Sequence, residues 1–291
     1  MIAWLKLLRI ALIPTVVLDF FTGVWLADLP IANISIPALT ALILIYHGSM
    51  ALNDWRDQEV DKEANRKRPL TQGLIPSNLA LGFGLLSYIF AWTICQYQAP
   101  LNAELCTWLI FVVLAYNFSP IKLRTHIGPA LLATARSFSL VFGASALVGP
   151  EKAFLDITYP AIMSYALFFL FLSRLASHEE EGLPRLKAMT FLSMASTAPL
   201  LLFIEIEFTL HYLLAISLFL AFCFSMLKSV IVDKNVFLEP KHVQLFVRHG
   251  LSHAPLVLGL ALLRESVWIG AAASLLAVIL VKNIAQKIPP E

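Results

Sequence analysis

Hydrophobic positions along this chain gather into long blocks separated by short polar joints. A helix needs about 20 mostly apolar residues to cross the hydrocarbon core of a bilayer. Blocks of that kind lie at 8–27, 34–52, 77–97, 102–119, 128–149, 158–176, 187–206, 208–231, 247–263 and 266–283. Only Arg264 and Glu265 part the last two. Backbone groups in lipid must be satisfied within the segment, so the pattern predicts an all-α polytopic bundle of nine or ten transmembrane helices.

Composition agrees with this pattern. The chain of 291 residues is 59% hydrophobic and 14% charged, whereas soluble domains carry roughly 45–50% apolar and about 25% charged residues. The net charge of +2 predicts no nucleic-acid partner. Lys and Arg matter by position: with the N-terminus placed in the cytoplasm, the outer segments hold only Lys152 and Arg264. The expected location is an integral, multi-pass one in a prokaryotic cell membrane, with both ends and the long loops on the cytoplasmic face. Cys95, Cys106 and Cys223 lie in apolar runs without metal-knuckle spacing and read as small buried hydrophobes. The first apolar run carries Pro14 and Asp19 and no A-x-A exit, so a cleaved signal is not expected. With no soluble insert, linker or short repeat in sight, residues 1–291 read as one membrane-embedded domain.

Against this background, residues 53–68 hold ten of the chain's charged side chains, which number 21 basic and 19 acidic. If the second block continues as helix past Asn53, Asp54, Asp57 and Asp61 share an arc of about 60°. Two such carboxylates some 6 Å apart repel by about 3 kcal/mol at an effective dielectric near 20. Cations must hold the stripe, or protons must stay on it. Mg²⁺ meets that need, since it takes oxygen ligands and often one or two carboxylates together with substrate phosphates. Asn53 can add a neutral oxygen. Arg66, Lys67 and Arg68 follow, and Arg meets phosphate oxygens through paired hydrogen bonds. An acidic stripe and then a basic turn suit a metal–diphosphate grip, although Glu59, Lys62 and Glu63 read as solvated loop residues.

The run Asn53-Asp54-x-x-Asp57-x-x-x-Asp61, followed by Arg68-Pro69-Leu70-x-x-Gly73, resembles the first aspartate-rich motif of the UbiA superfamily of intramembrane prenyltransferases. Its spacing to Arg68-Pro69 is similar to that of the branch with chlorophyll synthase and archaeal lipid prenyltransferases. The block at 8–27, with Arg9 and Pro14, looks like that family's opening helix. Tyr116-Asn117-Phe118-Ser119-Pro120-Ile121-Lys122-Leu123-Arg124 looks like its Y-x-x-x-P-x-K loop, and 128–143 resembles a family helix with a buried Arg, here Arg136. The resemblance implies Mg²⁺ held by Asp54, Asp57 and Asp61, an isoprenoid diphosphate bound with help from Asn53, Arg68, Lys122, Arg124 and Arg136, and an apolar tunnel for the polyprenyl tail. A structural ion pair is the other reading of Arg136, since a charge at membrane depth needs a partner or a function.

The chain departs from the resemblance where a second D-x-x-x-D motif is due. It reads Phe171-Leu-Ser-Arg174-Leu-Ala-Ser-His178-Glu179-Glu180-Glu181-Gly182, with no aspartate. Either the glutamates supply a second site in a shifted register, or Arg174 and His178 bind anion directly, or this is a solvated helix end. The expected activity is Mg²⁺-dependent transfer of a polyprenyl group to a small-molecule or lipid acceptor in the membrane. The alternative is a non-enzymatic lipid- or anion-binding or translocation protein on the same scaffold. His47 reads as a packed core histidine, and His249 with His253 lacks a third metal ligand.

Overall fold

The computed structural model describes residues 2–64, 66–157, 159–204, 209–232 and 236–287, without the side chains of 121–122 and 229–232. The helices are α1 (Ile2–Leu7), α2 (Ile13–Leu26), α3 (Ile36–Arg56), α4 (Gln58–Glu63), α5 (Ser77–Gln98), α6 (Ala103–Phe118) and α7 (Ile121–Val148). They continue with α8 (Pro150–Asp156), α9 (Tyr159–Ala176), α10 (Arg185–Thr197), α11 (Leu210–Val232), α12 (Pro240–Arg264) and α13 (Trp268–Lys287). Two short strands, β1 (Leu183–Pro184) and β2 (Phe237–Leu238), pair antiparallel and tie together the loops before α10 and α12. Among the described residues nine helices are long and apolar enough to cross a membrane, and the shorter Ile10–Leu26 segment supplies a tenth apolar helix. This is the multi-pass helical membrane bundle that the hydrophobic blocks predict.

Element edges depart from the blocks where polar residues are helical. The α7 helix starts seven residues before the expected 128, directly after Pro120 at its N-cap. Likewise α12 starts at Pro240, ahead of the expected 247, with proline in its first turn where a missing N–H costs nothing. The first block does not begin at 8 as continuous helix. Arg9 adopts a left-handed backbone (φ 48°), a 3₁₀ turn follows, and α2 then begins with Pro14 in its first turn. The expected span edges at 158 and 205–206, and at 208, lie outside the described residues.

One apolar core runs through the bundle from Val16 to Ala277. In lipid, helices gain little by excluding water, so close backbone approach and dispersion must hold them together. The contact of α2 with α7 shows this. A Cβ placed on Gly23 would collide with the carbonyl of Leu140, and one on Gly143 with the carbonyl of Phe20. Small residues there let the two backbones touch. The lipid-facing rim carries exposed Leu, Ile and Phe side chains, as on α13 at Ile269, Leu275, Leu276 and Ile279.

Gly143→Ala should lower the detergent-solubilised protein's unfolding temperature, through an overpacking cost of roughly 1–3 kcal/mol. Gly82→Ala, whose Cβ meets nothing, should not lower it. Equal behaviour of the two variants in a thermal melt would contradict the close α2–α7 contact.

Candidate functional site

The α3 helix ends at Arg56, and after one break at Asp57 the chain re-enters helix as α4. The backbone N–H of Asp57 bonds to the carbonyl of Asn53, and that of Asp61 to the carbonyl of Asp57. Helical register therefore persists through the break, and the three aspartates lie along one side. Asp54 and Asp61 are almost wholly buried, at 4% and 1% exposure.

The cation for these carboxylates is Arg68, itself buried. Its Nη1 lies 2.8 Å from Asp54 Oδ1 and 3.0 Å from Asp61 Oδ2. Local backbone chemistry aims it. Residues 69–74 form one helical turn closed by Gly73, whose φ of 68° suits glycine. The N–H of Leu74 bonds to the carbonyl of Pro69 and that of Gly73 to Leu70, a Schellman-type cap. Thr71 Oγ1 accepts from the Arg68 N–H, while Leu70 and Ile75 are buried beside Leu7, Ala51 and Ala80. The R-P-L-x-x-G run is thus a compact turn that holds one guanidinium between two carboxylates.

Further arginines complete the neutralisation. Arg9 Nη2 sits 3.3 Å from Asp54, Arg124 Nη2 donates to Asp57 at 2.6 Å, and Arg66 lies between Asp61 at 3.6 Å and Glu180 at 3.0 Å. Burial still pushes the Asp61 carboxyl up to about 6, against the pull of Arg68 and Arg66. Burial likewise raises Glu179, opposed by Arg66, Arg9, Arg68 and Arg248.

These groups rim a cavity of about 470 Å³ at the end of the bundle where α2 and α7 begin and α3 and α9 end. Asn53, Asp57, Arg66, Arg68, Arg124 and Arg136 line it together with Glu179, Glu180 and Glu181. Its apolar wall includes Leu12, Met50, Leu132, Phe169, Leu172 and Leu251. Asp54 and Asp61 do not line it; they stand behind Arg68. Arg136 is held by Asp19 at 3.1 Å and by the Tyr165 hydroxyl at 2.9 Å, and lies 4.6 Å from the Phe169 ring centroid. Ser139 and Tyr165 both donate to Asp19. The ion-pair reading of Arg136 therefore holds, although the side chain also borders the cavity.

Arg174 and His178 do not line the cavity. Arg174 donates to the carbonyl of Thr125, and His178 packs near the Phe191 ring. From this segment Leu172, Ser173, Ala176, Ser177 and the three glutamates Glu179, Glu180 and Glu181 border the cavity. The Lys122 side chain lies outside the described residues. His47 is buried, with Nδ1 2.8 Å from the Leu8 carbonyl, as a core histidine should be. Sequence reasoning missed Arg9, Tyr46 and Tyr116 as lining residues. It also missed the Asp19–Tyr165 support of Arg136, although an aspartate inside an apolar run was a usable signal.

Hard oxygen donors of this kind suit Mg²⁺. Among the described residues no three His, Cys, Asp or Glu side chains converge as a metal-binding group. Asp57 and Asn53 open on the cavity, as do Glu179, Glu180 and Glu181, and such a set fits an ion shared with a phosphate ligand rather than one enclosed by protein.

Fold and cavity define an integral membrane helical bundle with a charged chamber at one end and an apolar interior. Residues 11–182 match the UbiA prenyltransferase family, and the chain belongs to that family. It is similar to the protoheme IX farnesyltransferases of Rickettsia massiliae (strain Mtu5), 33% identical, and of Rickettsia rickettsii (strain Iowa), 32% identical, each over 91 residues. Each match spans 30% of this chain and 30% of the relative. Among solved structures, a UbiA homolog from Aeropyrum pernix K1 aligns with a TM-score of 0.56 at 14% identity over 95% of this chain and 96% of its own. A digeranylgeranylglyceryl phosphate synthase aligns with a TM-score of 0.54 at 14% identity, over 95% and 98% of the two chains. A UbiA homolog from Archaeoglobus fulgidus, bound to DMAPP and Mg²⁺, aligns at 0.50 and 13% identity, over 86% and 98%.

Arg68→Ala should destabilise the fold by about 3–5 kcal/mol, because two buried carboxylates lose their shared cation. Adding Asp61→Asn to Arg68→Ala should recover part of that loss in a thermal melt. A single variant as stable as the parent would refute the bridge.

Proposed function

We propose that the chain is an Mg²⁺-dependent prenyltransferase that moves a polyprenyl group from an isoprenoid diphosphate to a lipophilic acceptor in the membrane, with residues 1–291 forming one domain. The observation that carries this reading is a single cavity joining an arginine–carboxylate rim to an apolar wall inside the bundle. The DMAPP and Mg²⁺ bound to the Archaeoglobus fulgidus homolog, and the farnesyltransferase names of the sequence relatives, support it. The basic side chains gathered at the cavity end support a cytoplasmic site.

In this mechanism Asp57 and Asn53 are the residues that would hold Mg²⁺. The ion, when bound, offsets negative charge on the leaving oxygens. Arg66, Arg68 and Arg124 take up the charge that grows on the diphosphate as the C–O bond breaks. Asp54 and Asp61 keep Arg68 aimed. Leu12, Met50, Leu132 and Leu172 surround the prenyl chain and exclude water. The ring faces of Tyr46, Tyr116 and Phe169 stabilise positive charge on the allylic carbon, and Arg136 stays neutralised by Asp19. Glu179, half-buried at the cavity edge, accepts the acceptor's proton, with Glu180 and Glu181 alongside.

A second reading, a non-enzymatic binder of lipid diphosphates on this scaffold, draws on the second-motif region, where Arg174 and His178 stay out of the cavity. The two readings part on chemistry. Membranes containing the protein and supplied with labelled geranylgeranyl diphosphate should release diphosphate only with Mg²⁺. Arg124→Gln should slow that release by about 100-fold, and Asp57→Asn should abolish its response to Mg²⁺. Retained donor binding with no release, for any donor length in membrane extract, would favour the binder.

A further inference from the structure

A second cavity, of about 700 Å³, lies beside the first and shares Arg9, Arg66, Arg68 and Glu179 with it as a common wall. Its outer wall comes from α12 and α13. Six cationic side chains border it: Arg9, Arg66, Lys67, Arg68, Arg248 and Lys282. Among the described residues, one lining carboxylate, Glu179, opposes them. The cations divide into two groups. Arg9, Arg66 and Arg68 are already paired with Asp54, Asp61 or Glu180. Lys67, Arg248 and Lys282 are exposed and make no salt bridge within 4 Å among the described residues, although Arg248 acts on Glu179 from farther off, and Arg248 and Lys282 stand on helices that otherwise read as membrane spans. Apolar side chains, among them Leu245, Val281 and Ala285, border the same space.

A concentration of positive charge facing few carboxylates is unfavourable unless an anion or water offsets it. Here it is placed where spanning helices end, beside apolar wall, which suits an amphiphile lying with its head at the membrane boundary. We propose that this second cavity binds the anionic head group, a phosphate or carboxylate, of a membrane-resident amphiphile through Lys67, Arg248 and Lys282. Arg248 presents a fork of donors that matches two oxygens at once. Gln244 and Ser252, on the same wall, offer further hydrogen bonds. The shared wall sets this ligand next to the first cavity, so within the prenyl-transfer reading it is the acceptor. The binding site itself does not depend on that reading.

Calorimetric titration of the full chain in neutral detergent with dodecyl phosphate tests the proposal. Wild type should bind it, and Arg248→Gln/Lys282→Gln should weaken binding by about tenfold or more. Neither residue lines the first cavity, so Mg²⁺-dependent geranylgeranyl diphosphate binding should persist in the double variant, which also shows that it folds. Inorganic phosphate should bind far more weakly than dodecyl phosphate. Unchanged dodecyl phosphate binding in the double variant, or its displacement by geranylgeranyl diphosphate, would overturn the site. Inorganic phosphate binding as tightly as dodecyl phosphate would overturn the amphiphile. Loss of diphosphate binding in wild type, with dodecyl phosphate still bound, would count against the prenyl-transfer reading and leave this site standing.

Discussion

A carboxylate taken out of water must find a cation, and at the cavity end of this bundle the cation is arginine. Asp54 and Asp61 are buried together, and one guanidinium, that of Arg68, stands between them. A buried charge stripped of its partner costs several kcal/mol, so the packing of α3, α4 and the turn at 69–74 all converge on keeping this contact. Arg9 and Arg124 extend the same neutralisation to α2 and α7. The charges that would grip a diphosphate are therefore also the charges that close this end of the fold.

That dual use explains the division of labour among the three aspartates. Asp54 and Asp61 hold an arginine and do not reach the cavity, while Asp57 does. Phosphate oxygens can take over arginine contacts from carboxylates, because both are planar or tripodal oxygen acceptors for the same fork of donors. On the proposed reading, a diphosphate entering beside Arg124 and Arg66 would free carboxylate oxygen for a metal and supply phosphate oxygen of its own. Deeper in the bilayer, the Asp19–Arg136 pair follows the same rule with a different outcome. Tyr165 and Ser139 satisfy its remaining lone pairs, so that charge is settled before any ligand arrives.

The helical bundle was legible because a bilayer imposes one length and one composition on every span. What hydropathy could not see is helix built from polar residues. The opening turns of α7 and α12 carry Arg124, His126, Lys241 and Gln244, of which Arg124 and Gln244 line the two cavities, and the cues were the prolines at 120 and 240. The break at Arg9 had no glycine to announce it, since a left-handed arginine is fixed by tertiary contact. In the site, the aspartate stripe and the R-P-L-x-x-G turn could be read from spacing, which local backbone geometry governs. Which aspartate faces the cavity could not, because Arg68 decides it from 14 residues away. Asp19 and Arg136 were each visible as charges in apolar runs, yet pairing them required the contact between α2 and α7. Residues 174–181, where the resemblance implies a second D-x-x-x-D motif, hold no aspartate.

The central claim is that the carboxylates, held by arginine, accept a divalent ion only together with a diphosphate. Mn²⁺ titration followed by electron paramagnetic resonance tests it on the purified chain. Added geranylgeranyl diphosphate should tighten Mn²⁺ binding by about tenfold or more and bring phosphorus hyperfine coupling to the bound ion. Mn²⁺ bound as tightly without the diphosphate, or a diphosphate that binds with no regard to Mn²⁺, would contradict the account.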